Sequence, residues 1–550
     1  LRKIYNNEGD SLVFDCSETG YPEKLYTKLS YYYNGASVQL QYLFEYINVT
    51  SGISTMPFLN KIVEKGANGA LKSTGYAFNY YSRNSVPERF SYSQDHWGFY
   101  NGKYNSTLIP VPDDPIVAQN FPNATANREP DPYYAVAGML SSVSYPTGGK
   151  DSIIYEPNTK SEYKDVNGYT TLQQNVTANS SYETQYLFTA TQGFNLYYDG
   201  QVKITITSEY TIPDSPSPHA GSQLEIQNSS GQVVFREYVY PPQTGSTTKT
   251  FYITLPIGYY SYKTGAQGAN VKSTTSIRIR SGQTPNNQIV QTIIGGMRVK
   301  KVITSNNSAN PDMVKRYYYG TIDNKEQSTA QYDLKPNYYL PNAVFHSAIY
   351  DYHGCLGTYC LATNYASVMY SSPREKLYAT DGKLTAYTSV IESIGGDDFE
   401  GGAVEHKYQV VQDAAPQIVR GPVSMSVSPY SNSSVWALGE TETNYYKKST
   451  SGLVKIKSDQ YETIVDSRKG VDLPFYLVSQ TGTIQCMQWN NGMIIGPEFI
   501  HSMISATRFN IATAWKYLKK LTQIEYDENG QNPLTVVTEY EYNDLQYLML

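Results

Sequence analysis

Apolar and polar residues alternate along much of this sequence, and the alternation restricts the possible folds more than any other feature. It is clearest in three stretches: residues 40–46, 76–80 and 202–207. In the first of them, Leu40, Tyr42 and Phe44 fall on one face. A period of two residues is typical of half-buried β-strands, so the sequence predicts an all-β fold.

Tyrosine is the second constraint. The chain has 55 tyrosines in 550 residues, against 16 phenylalanines and 4 tryptophans. A tyrosine can bury its ring in a sheet while its hydroxyl reaches water, so this composition favours a large, thin β-structure with much half-wet surface. Asn-Gly pairs between the alternating stretches offer the positive-φ residues that tight hairpins need. They lie at 34–35, 68–69, 101–102, 167–168, 491–492 and 529–530.

Other classes of protein fit the composition poorly. Helical periodicity is nearly absent, and the best candidate for a helix is 502–521. Charged residues make up only 17% of the chain, which argues against a coiled coil. The net charge is −6, so the chain lacks the excess of basic residues that is typical of nucleic-acid-binding proteins. No apolar run approaches the ~18 residues of a membrane helix, so no membrane-spanning segment is expected. The sequence starts without a leader pattern, and we expect a mature chain or a fragment.

Changes in composition divide the chain into four regions. Residues 1–170 are rich in hairpin patterns and contain a Pro-rich loop at 109–132. Residues 171–290 carry fewer Tyr pairs and more Thr, Ser and Gln, and their short strands are spaced as in a small inserted β-sandwich. The Tyr-rich pattern returns in 291–440, which has long loops, and in the C-terminal region 441–550.

A short repeat-like unit stands near the end of the chain. Residues 524–530, with the letters IEYDENG, run from a strand through Tyr526 and Asp527 to an Asn-Gly turn that ends at Gly530. Residues 539–544 look like the start of a second unit. Asp side chains accept hydrogen bonds from the N–H groups of a following turn, so we expect Asp527 to hold this turn while the Tyr526 ring packs along the sheet.

Two longer signatures accompany this unit. One is 89–102, with the letters RFSYSQDHWGFYNG, which contains Trp97. The other runs over 134–158 and contains Gly148 and Gly149. With the Tyr-Asp unit, these motifs resemble the large RHS/YD-repeat-like surface proteins of Bacteroidota. The resemblance does not cover the inserted region.

The resemblance implies a long β-sheet that spirals into a hollow shell. Members of the family are exported, usually by a type IX secretion route, and reach the cell surface at the outer membrane or the medium. Their shells enclose a toxin or display adhesive modules. This chain departs from the family in its irregular repeats and in lacking the aspartyl self-cleavage motif and a toxin domain. It stops one strand into a unit, so we expect further chain or another protein to cover an open strand edge.

A Gly-rich acidic segment is the main candidate for a metal site. Asp397, Asp398 and Glu400 offer the oxygen ligands that Ca²⁺ prefers, close in sequence to His406. Their spacing differs from that of an EF-hand. The alternative is a solvated loop whose carboxylates cap turns. No cofactor is predicted.

Cysteine is scarce, and only one pair is closely spaced. Cys355 and Cys360 bracket four residues, a spacing that a hairpin disulfide can span. A pair of buried, unreactive thiols is the alternative.

No catalytic residues are predicted. Asp95 and His96 suggest an acid–base pair, but adjacent residues of a strand point to opposite faces, and the chain contains no Gly-x-Ser-x-Gly motif to supply a nucleophile. We interpret their segment as a structural corner in which Trp97 and Tyr100 pack. Neighbouring carboxylates at 113–114 in the Pro-rich loop fit a solvated loop better than glycoside chemistry.

Exposed aromatic rings are the last candidates for a binding site. The inserted region carries tyrosines that could stack on glycans or form cross-strand core pairs: Tyr197, Tyr198, Tyr238, Tyr240, Tyr259 and Tyr260. The leading hypothesis is a non-enzymatic, exported structural or interaction protein whose partners are protein strands at its open edges. A carbohydrate-binding adhesin module is one alternative. A shell that encloses a toxin or passenger polypeptide is another.

Overall fold

A computed structural model gives the fold over most of the chain. It describes residues 2–17, 25–34, 37–112, 115–165, 168–179, 185–197, 200–212, 219–242, 245–280, 287–306, 311–331, 336–349, 360–374, 376–378, 380, 382–420, 429–480 and 504–542. Nearly every regular element in these ranges is a β-strand, and the strand pairs are antiparallel. The prediction of an all-β fold is therefore confirmed.

The first part of the chain forms a meander. Its strands are β1 (Lys3–Tyr5), β2 (Ser11–Cys16), β3 (Tyr26–Tyr33), β4 (Ser37–Ser51), β5 (Ser54–Gly66), β6 (Tyr76–Tyr80), β7 (Leu140–Ser144) and β8 (Lys150–Asp165). Each strand pairs with the next one along the chain, from β1 with β2 to β7 with β8. Sequential hairpins of this kind follow from short turns between alternating stretches.

Residues 162–290, together with 112–123, form a separate compact unit. Its strands are β9 (Tyr169–Thr177), β10 (Leu187–Phe188), β11 (Gln192–Leu196), β12 (Gly200–Tyr210), β13 (Gly221–Asn228), β14 (Val233–Val239), β15 (Ser246–Leu255), β16 (Gly258–Gln267) and β17 (Val271–Arg280). One sheet has the order β15-β12-β17-β9, and the other contains β10, β11, β13, β14 and β16. We call this the inserted unit, and the remainder of the chain the larger unit.

The inserted unit has its own apolar core. Alternate side chains of both sheets meet there, and the largest that are fully buried include Ile204, Leu224, Ile226, Tyr262 and Ile277. Burying an aliphatic or aromatic side chain of this size stabilises a fold by about 1.5–3 kcal/mol. Two sheets that share such a core make a β-sandwich.

The larger unit resumes after the insertion. Its strands are β18 (Asn287–Ser305), β19 (Met313–Tyr318), β20 (Ala330–Gln331), β21 (Tyr339–Ile349), β22 (Cys360–Met369), β23 (Ala386–Tyr387), β24 (Ser389–Ile394), β25 (Ala403–Gln409), β26 (Gln417–Arg420), β27 (Gly439–Ser449), β28 (Gly452–Gln480), β29 (Ile504–Glu525) and β30 (Leu534–Glu539). Strand β18 pairs with β8, so the sheet continues across the point of insertion.

From there the main sheet again grows almost in chain order. The pairs are β18–β19, β19–β24, β24–β25, β25–β27, β27–β28, β28–β29 and β29–β30. Strand β26 pairs with β29 as well, while β20–β23 and β21–β22 form two small separate sheets. Among the described strands, 17 belong to the main sheet.

The helix predicted at 502–521 is wrong, because the structure places β29 there. Phe509, Ile511 and Trp515 lie at even spacings along this strand, and β28 pairs with it over nearly its whole length. The long partner strand forms hydrogen bonds with the backbone groups of the segment. This pairing favours a strand more than the helical spacing of the later apolar residues favours a helix.

Helices are few and short in the described ranges. They are α1 (Pro115–Asn120), α2 (Pro132–Ala135) and two 3-10 turns, Arg83–Ser85 and Ser433–Trp436. None of the described helices is long and apolar enough to cross a membrane.

One turn recurs between strands. In the turn that starts at Asp527, Oδ1 accepts the N–H groups of Asn529 and Gln531 at 2.9 and 2.8 Å, and Gly530 has φ +76°. The same two bonds, followed by a glycine of positive φ at the fourth position, start at Asn6, Asp95 and Asn228. In the pair 529–530, Gly530 has positive φ but Asn529 does not, whereas a two-residue type I′ turn requires positive φ at both positions. This hairpin therefore uses a three-residue loop with a bulge, and not the two-residue turn expected from Asn-Gly.

Candidate functional site: a buried corner and an open strand edge

The corner at Asp95 is built on the recurrent turn. Asp95 has no exposed surface, and its Oδ1 accepts the N–H groups of Trp97 and Phe99, each at 2.9 Å. Its second oxygen, Oδ2, is buried without a hydrogen-bond partner. Burial raises the pKa of Asp95 to about 6, and the two backbone hydrogen bonds offset only part of that effect.

Arg128 ties this corner to distant parts of the larger unit. Its Nε and Nη2 donate to the backbone carbonyl of Asp95 at 3.2 and 2.7 Å. Its Nη1 donates to the carbonyls of Leu108 and Ser371 at 3.2 and 2.9 Å. The guanidinium also lies 5.4 Å from the centre of the Tyr338 ring. One buried side chain therefore satisfies carbonyls from three separate segments.

His96 has partners other than the neighbouring Asp95 carboxylate. Its Nδ1 lies 3.0 Å from the hydroxyl of Tyr338, and its Nε2 lies 3.6 Å from the carboxylate of Glu129. Asp95, as described, directs one carboxylate oxygen to its own turn. The two side chains are therefore arranged as parts of a corner and not as a hydrogen-bonded catalytic pair.

Trp97 fills a small apolar cluster beside the corner. It packs with Ile294 and Leu384, and its carbonyl accepts the hydroxyl of Tyr378 at 2.8 Å. Gly295 lies directly against the indole, since a Cβ at this position would stand 2.5 Å from the ring. A glycine is required here because of the close approach of Trp97.

The second signature supplies an ionic cluster to the same unit. The two carboxylate oxygens of Glu156 accept hydrogen bonds from Arg298 Nε at 2.9 Å and from Arg316 Nη2 at 3.1 Å. Arg298 also donates to the hydroxyl of Tyr387 at 3.1 Å, and that hydroxyl donates to Asn158 at 2.8 Å. All of these polar groups therefore have partners of complementary chemistry.

Aromatic rings enclose this ionic cluster. The Arg298 guanidinium lies 4.2 Å from the centre of the Tyr319 ring, which is 4.6 Å from the ring of Tyr387. Burial raises the pKa of Tyr319 and of Tyr387, so both phenols stay protonated. Asn158 donates to the carbonyl of Gly295 at 3.1 Å and so joins the ionic cluster to the Trp97 cluster. The two long signatures of the sequence thus converge on one buried network.

The acidic segment proposed for Ca²⁺ is engaged elsewhere. Asp397 forms an ion pair with Lys301 at 2.9 Å, and that hydrogen-bonded ammonium lowers the pKa of Asp397. Lys448 Nζ donates to the carbonyl of Asp398 at 2.6 Å, and Glu400 is exposed. Within the described ranges, no three His, Cys, Asp or Glu side chains are grouped to hold a metal ion.

Glu405, next to His406, belongs to the buried network of the sheet. Its Oε1 accepts the N–H of Ile322 at 3.0 Å, and its Oε2 accepts Asn444 Nδ2 at 3.3 Å and the hydroxyl of Tyr446 at 3.1 Å. His406 Nδ1 lies 2.6 Å from Glu440. Like Arg128 and Glu156, Glu405 carried no local sequence signal for its role, because its partners come from other strands.

The repeat-like unit is placed at the end of β29. Asp527 holds the turn as described above, which matches the geometry expected of its carboxylate, and its pKa is lowered mainly by the backbone hydrogen bond from Gln531. Tyr526 is half-buried, and its N–H donates to the carbonyl of Ile456 at 2.9 Å.

Two other predicted features have different outcomes. Gly148, with φ +94°, and Gly149 close the hairpin between β7 and β8, where Tyr145 N–H donates to the Gly149 carbonyl at 2.8 Å. Cys355 and the acidic pair 113–114 lie outside the described residues, so the disulfide with Cys360 stays a prediction.

The tyrosines proposed for glycan binding divide into two groups. Tyr260 is 5% exposed, stacks on Phe194 with ring centres 5.7 Å apart, and belongs to the sandwich core. The others that the structure describes are exposed on the inserted unit: Tyr197, Tyr238, Tyr240 and Tyr259. Tyr198 lies outside the described residues.

The last strand that the structure describes, β30, is exposed and apolar. Every residue of β30 is exposed, and Leu534, Val536 and Val537 retain 64%, 52% and 50% of their surface. In the described part of the chain, β29 is the one strand paired with β30. An edge strand with unpaired backbone groups and apolar side chains is a template for a further strand.

The sequence was compared with known families and curated proteins. No model of a known protein family matches it, and no curated protein matches it.

Proposed function

We propose that this chain is a section of a YD-repeat-like β-shell, a non-enzymatic structural or interaction protein that is exported to the cell surface. The observation that carries the proposal is the order of the main sheet. Strands join it in chain order from β1 to β8 and from β18 to β30, with few departures. A sheet that grows by repeated hairpins can extend indefinitely, which is what a spiralling shell requires.

The open edge at β30 supports a role in assembly. Its exposed apolar side chains, and the backbone groups that no strand in the described ranges pairs with, lose free energy when a further strand pairs with them. We therefore infer that further chain of the same protein, or a strand of another protein, covers β30. The same inference makes β30 the first place to look for a partner.

The buried network supports a structural role for the signature motifs. Arg128, Glu156 and Glu405 form their hydrogen bonds with carbonyls, guanidinium groups and amides of the larger unit. The residues that the sequence singled out as an acid–base pair, Asp95 and His96, take part in the same packing. These contacts account for the packing of the corner, and no substrate is needed to explain them.

Localisation in the source organism tests the proposal. An antibody raised against the purified chain should label intact cells or detect the protein in the medium, and protease added to intact cells should remove the signal. A cytoplasmic enzyme of the same cells is the control and should stay protected. Detection only after lysis would overturn the proposal.

A carbohydrate-binding surface module is the second candidate. It is favoured by the exposed rings of Tyr238, Tyr240 and Tyr259 on the inserted unit, since tyrosine rings can pack on the apolar faces of sugars. A glycan array with the purified chain tests it. Binding that disappears in Tyr240→Ala would support the candidate, and no binding to any glycan would exclude it.

A further inference from the structure

The larger unit contains a polar cleft of about 270 Å³ on one face of β29. Strand residues form its floor, and the loop around the 3-10 turn Ser433–Trp436 forms its wall. Its larger lining side chains are those of Trp436, Asp472, Arg508, Asn510 and Gln417. No sequence motif pointed to this place.

Strand geometry sets the floor. Arg508, Asn510 and Ala512 are alternate residues of β29, so their side chains share one face. Asp472 of β28 lies directly opposite Ala512 in the register of the two strands. Opposite charges on Asp472 and Arg508 therefore line the same small cleft.

The wall is fixed to the floor by hydrogen bonds. Asn432 Nδ2 donates to the carbonyl of Ala512 at 2.7 Å, and Ala512 N–H donates to Asn432 Oδ1 at 2.6 Å. The N–H of Asn510 donates to Ser431 Oγ at 2.8 Å. Buried Asp413 accepts Ser434 Oγ at 2.6 Å and so anchors the turn that carries Trp436. These bonds fix the wall relative to the floor without a ligand, and such preorganisation lowers the entropic cost of binding.

Two charged groups of the cleft have no partner within the described residues. The guanidinium of Arg508 and the carboxylate of Asp472 form no hydrogen bond or ion pair there, although most charged groups elsewhere in the larger unit do. Asp472 is exposed and Trp436 is half-buried, so both are accessible. An indole beside a donor and an acceptor that have no partner among the described residues is a combination that recognises a ring bearing hydroxyl groups.

We propose that this cleft binds one neutral pyranose residue of a glycan. The Trp436 indole would pack on the apolar face of the sugar ring, Asp472 would accept hydrogen bonds from its hydroxyl groups, and Arg508 and Asn510 would donate hydrogen bonds to its oxygens. The volume supports one sugar residue, since it lies just below the ~300 Å³ at which sites for drug-sized ligands begin. The opposite charges of Asp472 and Arg508 balance, which favours a neutral sugar over an acidic one.

This inference deepens the carbohydrate candidate above but places the site in the larger unit. Saturation-transfer NMR of the whole chain with methyl glycosides of glucose, galactose and mannose, and with methyl glucuronide as the acidic arm, tests it. We expect transfer to at least one neutral glycoside, and an affinity reduced about tenfold or more in Asp472→Ala and in Arg508→Ala. Asp312→Ala, at an exposed aspartate of the larger unit outside the cleft, is the matched control and should bind as the wild type does.

Several outcomes would overturn the inference. They are no transfer to any neutral glycoside, transfer to the glucuronide alone, or binding that survives both cleft variants. Loss in Tyr240→Ala alone would place the sugar on the inserted unit instead. Circular dichroism of each variant shows whether it is folded, and Asp472→Asn, which keeps the shape of the side chain, replaces a variant that is not. The localisation experiment is independent, so the shell proposal and the sugar site fail separately.

Discussion

The guanidinium of Arg128 donates two hydrogen bonds to the backbone carbonyl of Asp95, at 2.7 and 3.2 Å. The carboxylate of the same Asp95 accepts two N–H groups of its own turn. Asp95 is thus fixed by its backbone to distant segments and by its side chain to its neighbours. The corner of the first signature depends on both sets of bonds.

Removing Arg128 should be costly. Arg128→Ala leaves the carbonyls of Asp95, Leu108 and Ser371 without this donor, and we expect a loss of about 3 kcal/mol in the free energy of unfolding. Urea unfolding followed by tryptophan fluorescence measures it, because the tryptophans that the structure describes, Trp97, Trp436 and Trp515, belong to the larger unit. Arg2→Ala, at an exposed arginine, is the control. Equal midpoints for the two variants would contradict the role given to Arg128.

Asp95 should make the larger unit less stable as pH rises. Its pKa is raised from 3.8 to about 6 in the folded protein, so the folded state holds the proton more tightly than the unfolded state does. Stability from this group is present below about pH 4 and is lost as pH rises through 6. Asp95→Asn keeps the Oδ1 acceptor without the charge, and we expect it to exceed the wild type by about 2 kcal/mol at pH 7.5, with no difference near pH 4. A difference that does not change with pH would contradict this cause.

Asp527 should behave in the opposite way. Backbone hydrogen bonds, that of Gln531 first, lower its pKa, so its contribution is present above the unfolded pKa and is lost as pH falls through the lower folded value. Asp527→Asn should therefore melt below the wild type at pH 7, and the gap should narrow toward pH 3. Melting curves at matched pH values check it. A gap that widens in acid would show that the charge is not what holds the turn.

Gly295 should tolerate no side chain. A Cβ there would stand 2.5 Å from the indole of Trp97, whereas a Cβ at Gly149 would stand 3.4 Å from the Ser305 carbonyl. We expect Gly295→Ala to destabilise the larger unit by about 2–3 kcal/mol and Gly149→Ala by much less. Comparing the two unfolding midpoints tests this. Similar losses would mean that Trp97 can move aside.

The sequence predicted those parts of the fold that depend on local pattern. The alternation at 202–207 became β12, and the carboxylate of Asp527 holds the turn that follows it. The segment 502–521 was mistaken for a helix because the spacing of Trp515 and Leu518 also suits one, and its partner strand β28 cannot be seen from the segment alone.

The buried network was harder to predict because its contacts are distant in sequence. Arg128 bonds to carbonyls at Leu108 and Ser371, and any residue type offers a carbonyl. Glu156 forms an ion pair with Arg298, and the segment 162–290 of the inserted unit separates the two residues in the sequence. Charge alone marks neither residue, since other residues of the same types, such as Arg2 and Glu400, are solvent-exposed.

The most direct test of the central proposal is a photo-cross-link from β30 in the native cell. With benzoylphenylalanine in place of Val537, we predict an adduct with a strand-forming segment, either further chain of the same protein or a second protein. The same probe at Tyr133, which is 78% exposed on α2, is the control. An assembly through the open edge predicts adducts from Val537 well above those from Tyr133, and equal or absent adducts would contradict it.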